Sequence, residues 1–411
     1  MPPLPNDAQL SGGATAALDW PALFARRTAR GGDELTAILS MAARTDVITF
    51  SGGFPAPETF PVDVLQDLLP RLAKEDAAIA LQYSPTEGLP VARSAISALL
   101  EQTQGATVDP AGVLVTSGGI EGLQLLARTL IDPGDRVLVE APTYLGAIMA
   151  FAGFEAEVEG VDMDDDGLCL DLLETALGRG RPPKLLYVIP DHQNPSGRSL
   201  SEDRRRGLVE LCRRHGVLVV EDVAYRELAF DGTAAPSLWS MAPDGVVQLG
   251  TFSKILVPGV RLGWAVGPSS VVTAMTAAKQ NSDQCAGALG QTLMAEYLGG
   301  GHLAGTLAVA RPLYRRRAEA MLGALERHMP AGVSWTRPSG GFFIWLTAPG
   351  HVDTRALVAP AARLGVAYVP GAPFYTGARG SNEIRLSYSR ADETSIDEGI
   401  RRLATLIAGE G

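Results

Sequence analysis

Between residues 112 and 267 the chain alternates short, almost wholly apolar runs with amphipathic stretches, and this alternation restricts the fold more than any other feature. The runs are GVLVTSGG (112–119), RVLVEAP (136–142), KLLYVIPD (184–191), VLVVEDVAY (217–225), VVQLGTFSK (246–254) and RLGWAVG (261–267). Apolar runs this short, bounded by turn residues, read as strands buried on both faces. Between them, IEGLQLLARTLI places Ile120, Leu123, Ala127 and Leu130 on one helical face, and DPGD (132–135) is a turn. SEDRRRGLVELCRRHG runs from an N-cap at Ser201 to a C′ glycine at Gly216. Strands of this kind separated by helices predict an α/β fold with a mostly parallel sheet covered on both sides.

The pattern changes after about residue 300. VSWTRPSGGFFIWLTA, VAYVP and EIRLSYS read as antiparallel strands, and a final helix from Asp392 puts Ile396, Ile400, Leu403 and Ile407 on one face. This is a smaller α+β lobe, with which the early helix DELTAILSMAAR is expected to pack. The predicted division is an N-terminal arm (1–34), a segment packing with the small domain (35–60), a large domain (61–300) and a small C-terminal domain (301–411). A length of 411 residues suits such a division. The net charge of −11, with no basic run interleaved with aromatics, argues against a nucleic-acid partner. The first sixty residues are too few to hold a DNA-binding head as well as the arm. No clean run of 18 apolar residues predicts a membrane span, and the N-terminus lacks a basic stretch followed by an apolar one, so a cytoplasmic location is expected. Cys169, Cys212 and Cys285 are far apart and odd in number, which fits a reducing compartment. With the histidines equally scattered, no metal site is expected.

The chemistry-bearing residues fall where the strands end, and in open parallel sheets ligands bind beyond the carboxyl ends of the strands. Lys254 stands between apolar runs at the end of GTFSK, so its amine either turns back to water or is chemically useful. Gly118 and Gly119 form a strand–helix turn whose amides, with that of Ile120, suit an anion or serve only the turn. Asp222 closes an apolar strand and needs a positive partner: a protonated ring nitrogen, a salt bridge or a helix end. Asn194, in HQNPSG, is an ordinary turn residue or a ligand contact. Tyr225 could bond a ring oxygen or fill the core. Arg385 is a surface charge or a bidentate clamp on a carboxylate. Together, a lysine amine, a phosphate cradle (Gly118, Gly119, Ile120, Thr251, Ser253, Arg261), an acid for a ring nitrogen and a carboxylate clamp suit pyridoxal 5′-phosphate and an α-amino acid.

Ten ordered blocks carry a resemblance from about residue 35 to the end: SGGFPAPETFP, QYSPTEG, TSGGIEGLQLLAR, DPGDRVLVEAPTY, NPSG, EDVAY, GTFSK with GVRLGW, PSGGFFIW, VPG and IRLSYS. The chain resembles the fold-type I pyridoxal-phosphate enzymes, specifically the class I/II aminotransferases near the 2-aminoadipate/kynurenine aminotransferase group. The resemblance implies a mostly parallel seven-stranded sheet and a Schiff base between Lys254 and the cofactor. It implies Asp222 at the pyridine nitrogen, Asn194 and Tyr225 near the ring hydroxyl, and Tyr144 stacked on the ring. It further implies Arg385 on the substrate carboxylate, Gly53 against the substrate, and a homodimer in which Tyr83 reaches the neighbouring subunit's phosphate.

Two departures stand out. His192 occupies a position where relatives commonly carry an aromatic such as Phe, and is read as a hydrogen-bonded replacement or a proton relay. Relatives that use dicarboxylates place an arginine in the early helix, where this chain has Leu35, Thr36, Ile38 and Leu39, with Arg26, Arg27 and Arg30 upstream. The expected reaction is transamination between an amino acid with a neutral or aromatic side chain and a 2-oxo acid. The alternative is another pyridoxal-phosphate reaction on the same scaffold: β-elimination, decarboxylation or oxidative deamination.

Overall fold

The computed structural model describes residues 18–25, 36, 44 and 46–409. A two-residue strand, β1 (Ile48–Thr49), precedes the main sheet, which contains β2 (Leu114–Thr116), β3 (Arg136–Ala141), β4 (Glu157–Asp164), β5 (Gly167–Leu168), β6 (Leu185–Val188), β7 (Leu218–Asp222), β8 (Val246–Thr251) and β9 (Gly263–Val266). Their order is β2-β9-β8-β7-β6-β3-β4-β5. The run β8-β7-β6-β3-β4 is parallel, and β9 lies antiparallel between β2 and β8. The sheet is thus the mostly parallel one implied by the sequence, extended at one edge by the two-residue β5, which folds back antiparallel on β4.

Its strands are apolar because helices cover both faces: every residue of β6 is buried, as are Val137 to Ala141 of β3. The helix Gly119–Leu130 buries Leu123, Leu125, Leu126 and Ala127, while Ile120 and Leu130 stay partly open. The helix Glu202–His215 ends at Gly216 in the left-handed region. Ser201 holds the N-cap position, but its hydroxyl makes no capping hydrogen bond.

Beyond the helix His302–His328, a second sheet is formed by β10 (Ser334–Trp335), β11 (Phe343–Thr347), β13 (Val369–Pro370) and β14 (Glu383–Ser387), in the order β10-β11-β14-β13, all antiparallel. VAYVP does not form one antiparallel strand. Its first half, β12 (Val366–Ala367), leaves this sheet and pairs in parallel with β1, because the backbone of residues 48–50 lies alongside it. The terminal helix Glu393–Gly409 buries Ile396, Ile400, Leu403 and Ile407 and packs on His302–His328. Of the early helix, only Thr36 is described, helical and exposed; Leu35, Ile38, Leu39, Arg26, Arg27 and Arg30 lie outside the described residues.

Candidate functional site

The carboxyl ends of β3, β6, β7 and β8 face one cleft of about 270 Å³. Gly119, Ile120, Tyr144, Asn194, Asp222, Tyr225, Thr251, Ser253, Lys254, Arg261, Arg385 and Gly53 all line it. Gly118 does not line the cleft but lies directly against Arg261. Its φ of +99° excludes most side chains, and a Cβ there would stand 2.7 Å from Arg261 Nη2. Tyr83 is apart from the cleft of its own chain and is 83% exposed.

Lys254 does not close a strand. β8 stops at Thr251, and the lysine sits three residues on in a turn, so its backbone leaves the sheet before its side chain enters the cleft. Its Nζ donates to the Gly53 carbonyl at 2.8 Å. The Gly53 backbone also lies directly against the Phe343 ring, where a Cβ would stand 2.8 Å from Cζ. Burial, with the charges of Arg385 and Arg261 adding to it and Asp222 opposing it, lowers the Lys254 pKa to about 8.

Two positive ends frame the cleft. At one, Arg261 adopts a left-handed φ of +50° and donates to Ser253 Oγ at 3.2 Å, while Thr251 Oγ1 donates to the same hydroxyl at 3.0 Å. These groups and the glycine turn at the helix start are anion-binding chemistry. At the other end, Arg385 lies between the rings of Phe343 and Phe374, 4.5 and 5.0 Å from their centres. Its Nη1 donates to Asn194 Oδ1 at 3.0 Å and its Nη2 to the Ser51 carbonyl, leaving Nε buried without a partner. Burial lowers its pKa to about 10. A guanidinium with a buried, unsatisfied donor is suited to a carboxylate.

Asp222 lines the same cleft. Its Oδ1 accepts from the Ala224 N–H at 3.1 Å and its Oδ2 from the Tyr187 hydroxyl at 2.9 Å. Burial raises its pKa against these bonds and the charge of Lys254. Burial also pushes up the phenols of Tyr144, to about 12, and Tyr225, so both stay neutral donors. A buried acid flanked by neutral phenols needs a cationic partner, and a protonated pyridine nitrogen is one. The residues present therefore fit pyridoxal 5′-phosphate: an amine, an anion cradle, an acid for the ring nitrogen and a carboxylate clamp converge on one space.

Several contributors escape sequence reasoning. Tyr187 pairs in register with Val220, two residues short of Asp222, about 6.6 Å along the strand at 3.3 Å per residue, a gap its long phenol spans. Only the adjacency of the two strands could have revealed it. Ser51, Phe54 and Phe374 also line the cleft. Behind it, Glu140 accepts from Ile189 N–H and from Gln193 Nε2, and burial raises its pKa to about 8. His192 does not line the cleft. It has φ +51°, lies against Gly340 and Gly341, and pairs its Nδ1 with Ser199 Oγ at 3.2 Å. Burial lowers its pKa to about 4, so it is neutral near pH 7.

Residues 45–403 match the family of class I and II aminotransferases. The chain is 38% identical over 382 residues to an aromatic-amino-acid aminotransferase of Thermococcus litoralis, covering 92% of both chains. It is also 38% identical over 397 residues to a 2-aminoadipate transaminase of Thermus thermophilus, covering 95% of this chain and 98% of the relative. A crystal structure of Pyrococcus horikoshii kynurenine aminotransferase superposes with a TM-score of 0.91 at 38% identity, covering 95% of this chain and 98% of that one. These relatives are named for transamination, not for elimination, decarboxylation or oxidative deamination. The chain therefore belongs to the class I and II aminotransferases, enzymes that use pyridoxal 5′-phosphate to exchange an amino group between an amino acid and a 2-oxo acid.

Proposed function

We propose that this enzyme takes an amino acid with a neutral, apolar or aromatic side chain as its donor, and that its site residues divide the work as follows. Bound pyridoxal 5′-phosphate supplies a carbonyl for the amine and an electron-accepting ring. Lys254 Nζ would hold the cofactor and, as a free amine, would carry the proton at the substrate Cα. A lysine with a pKa of about 8 has a usable neutral fraction near pH 7. Asp222 would hold the proton at the ring nitrogen, Tyr225 and Asn194 would bind the ring oxygen, and Tyr144 would take the ring face. Gly118, Gly119, Ile120, Thr251, Ser253 and Arg261 hold the phosphate. Arg385 takes the substrate α-carboxylate, and Gly53 lets the substrate pass close to the backbone.

The observation that carries the substrate reading is the cation inventory of the cleft. Among the described residues its cations are Lys254, Arg261 and Arg385, each assigned a task, while Phe54, Ile120, Leu145 and Phe374 make its wall apolar. A second carboxylate placed against that wall without a partner costs several kcal/mol, of the order of a hundredfold in selectivity. The name of the T. litoralis relative supports an aromatic substrate. Half-reactions with phenylalanine, methionine, glutamate and 2-aminoadipate at equal concentration test the reading. A diacid reacting tenfold faster or more than either neutral amino acid overturns it.

We read the working unit as a homodimer in which Tyr83 serves the partner's phosphate. Tyr83 is 83% exposed next to exposed Ile79 and Leu81, an apolar stretch that a second copy would cover. The division into a large domain at 61–300 and a small one at 301–411, with 35–60 joining the latter, is part of the same reading and is supported by the pairing of β1 with β12. So is a cytoplasmic location, supported by three free cysteines. Among the described residues, no helix is long and apolar enough to cross a membrane.

A further inference from the structure

A second charge cluster lies behind the glycine turn and takes no part in the chemistry above. Lys279, near the end of the helix Ser269–Gln280, is fully buried, with Nζ 2.8 Å from both carboxylate oxygens of Glu121 and both of Asp283. Glu121 stands in the first turn of Gly119–Leu130. Ser117, the residue before Gly118, is gripped twice: its N–H donates to Glu121 Oε2, and its Oγ donates to Asp283 Oδ2 at 2.8 Å. Burial pushes the Glu121 carboxyl up. At Asp283, the bonds donated by Lys279 and Ser117 help outweigh burial and hold the carboxyl low. One cation between two carboxylates has the wrong net sign to attract a phosphate. What it contributes is geometry: it fixes the backbone from which the cradle is built.

The other side of the cluster leads to Tyr83. Three residues after Asp283, the Ala286 carbonyl accepts from Ser84 Oγ at 3.0 Å and from Gln291 Nε2 at 2.9 Å. The same Gln291 amide lies 3.0 Å from Ser84 Oγ, and its Oε1 accepts the Leu89 N–H at 2.7 Å. Gln291 is fully buried, so its bonds to Leu89 and Ala286 are shielded from water. Hydrogen bonds at Asp283 and at Ala286, joined by the three-residue backbone step between them, thus link Ser117 to the residue that follows Tyr83.

We infer that Lys279 is a positioning residue that sets the phosphate cradle and the Tyr83 loop in one frame, so that both halves of the phosphate grip depend on it. This rests on the reading of Tyr83 as a phosphate contact in the neighbouring subunit. In the dimer, each cluster then ties a subunit's own cradle to the tyrosine it lends its partner.

The test is a titration of the apo-protein with pyridoxal 5′-phosphate and with pyridoxal, which lacks the phosphate. The variants are Lys279→Met and the milder Asp283→Asn and Ser117→Ala, which carry the test if Lys279→Met does not fold. The expected result is a loss of about tenfold or more for pyridoxal 5′-phosphate with pyridoxal changed less than about twofold, the size of a lost buried charged hydrogen bond. Tyr83→Phe should also cost several-fold less on an Asp283→Asn background than alone. Equal losses for both ligands, unchanged affinity for pyridoxal 5′-phosphate, or additive effects of Tyr83→Phe and Asp283→Asn overturn the inference while leaving the site assignment intact. If the unaltered protein binds both ligands equally, or Tyr83→Phe is silent there, the underlying reading fails and takes the inference with it.

Discussion

Two lysines enter the interior of this protein, and their company differs. Lys279 has four carboxylate oxygens at 2.8 Å and no exposed surface. Lys254, part-buried at the cleft, donates to one backbone carbonyl and has Arg385 and Arg261 as cationic neighbours, with Asp222 as the opposing charge. A cation ringed by carboxylate oxygens and closed off from solvent has no free face to offer a reactant. An under-compensated one gives up its proton more easily and becomes a nucleophile. Reactivity thus follows the neighbours rather than the residue type, since both positions are lysines near the ends of regular elements.

The sharpest way to break this comparison is to ask which lysine reacts. Borohydride treatment of the enzyme with its cofactor, followed by peptide mapping, should label Lys254. A label on Lys279 would falsify the contrast. Lys254→Ala should then lower turnover by about 10⁴-fold or more, since both the covalent hold and the proton carrier are lost.

The next largest effect is expected at Asp222, the acid that opposes the cationic company of Lys254. Asp222→Asn keeps the shape and removes the charge. Breaking a buried charge pair costs about 3–5 kcal/mol, so the half-reaction should slow by roughly a hundredfold to several thousandfold. An undiminished rate in stopped-flow measurements would remove Asp222 from the mechanism.

A third test manipulates the neighbours of Lys254 directly. In the apo-protein, modification by an amine reagent should rise with pH with a midpoint of about 8, because only the neutral amine reacts. Arg385 lowers that midpoint by repelling the protonated form, so Arg385→Met should move it to higher pH. A one-unit move leaves about tenfold less neutral amine at pH 7. Lys279 should stay unmodified until the chain unfolds. A midpoint that stays put or falls in Arg385→Met contradicts the assigned electrostatics.

The smallest effect belongs to Tyr187→Phe, which deletes one hydrogen bond to Asp222. A net hydrogen bond of about 1 kcal/mol corresponds to roughly fivefold, so the half-reaction should slow by about that factor. The same factor lost in thermal stability with no kinetic change would make Tyr187 a packing residue only.

The legibility of the molecule from its sequence follows the same local-versus-distant distinction. The strands from β2 to β9 with apolar runs, and the helices between them, were readable because period and turn chemistry are local properties. β4 and β5 were not, since Glu157, Glu159, Asp162 and Asp164 interrupt the apolar signal at a sheet edge that water reaches. The split of VAYVP between two sheets was hidden because its partner, Ile48, lies more than three hundred residues away.

What the sequence by itself determined is the β/α alternation, and with it the placing of Asp222 at the end of β7 and of Gly118, Asn194 and Lys254 in the connections beyond β2, β6 and β8, because backbone preference acts over a few residues and ligand sites follow from sheet topology. What only the tertiary structure decided is the company each of them keeps. Arg385 meets Asn194 across 191 residues, Tyr187 meets Asp222 across 35, and Lys279 meets Glu121 across 158. Those distances are closed by packing of whole elements, and charge compensation depends on the final separation in space, which no local pattern in the chain encodes.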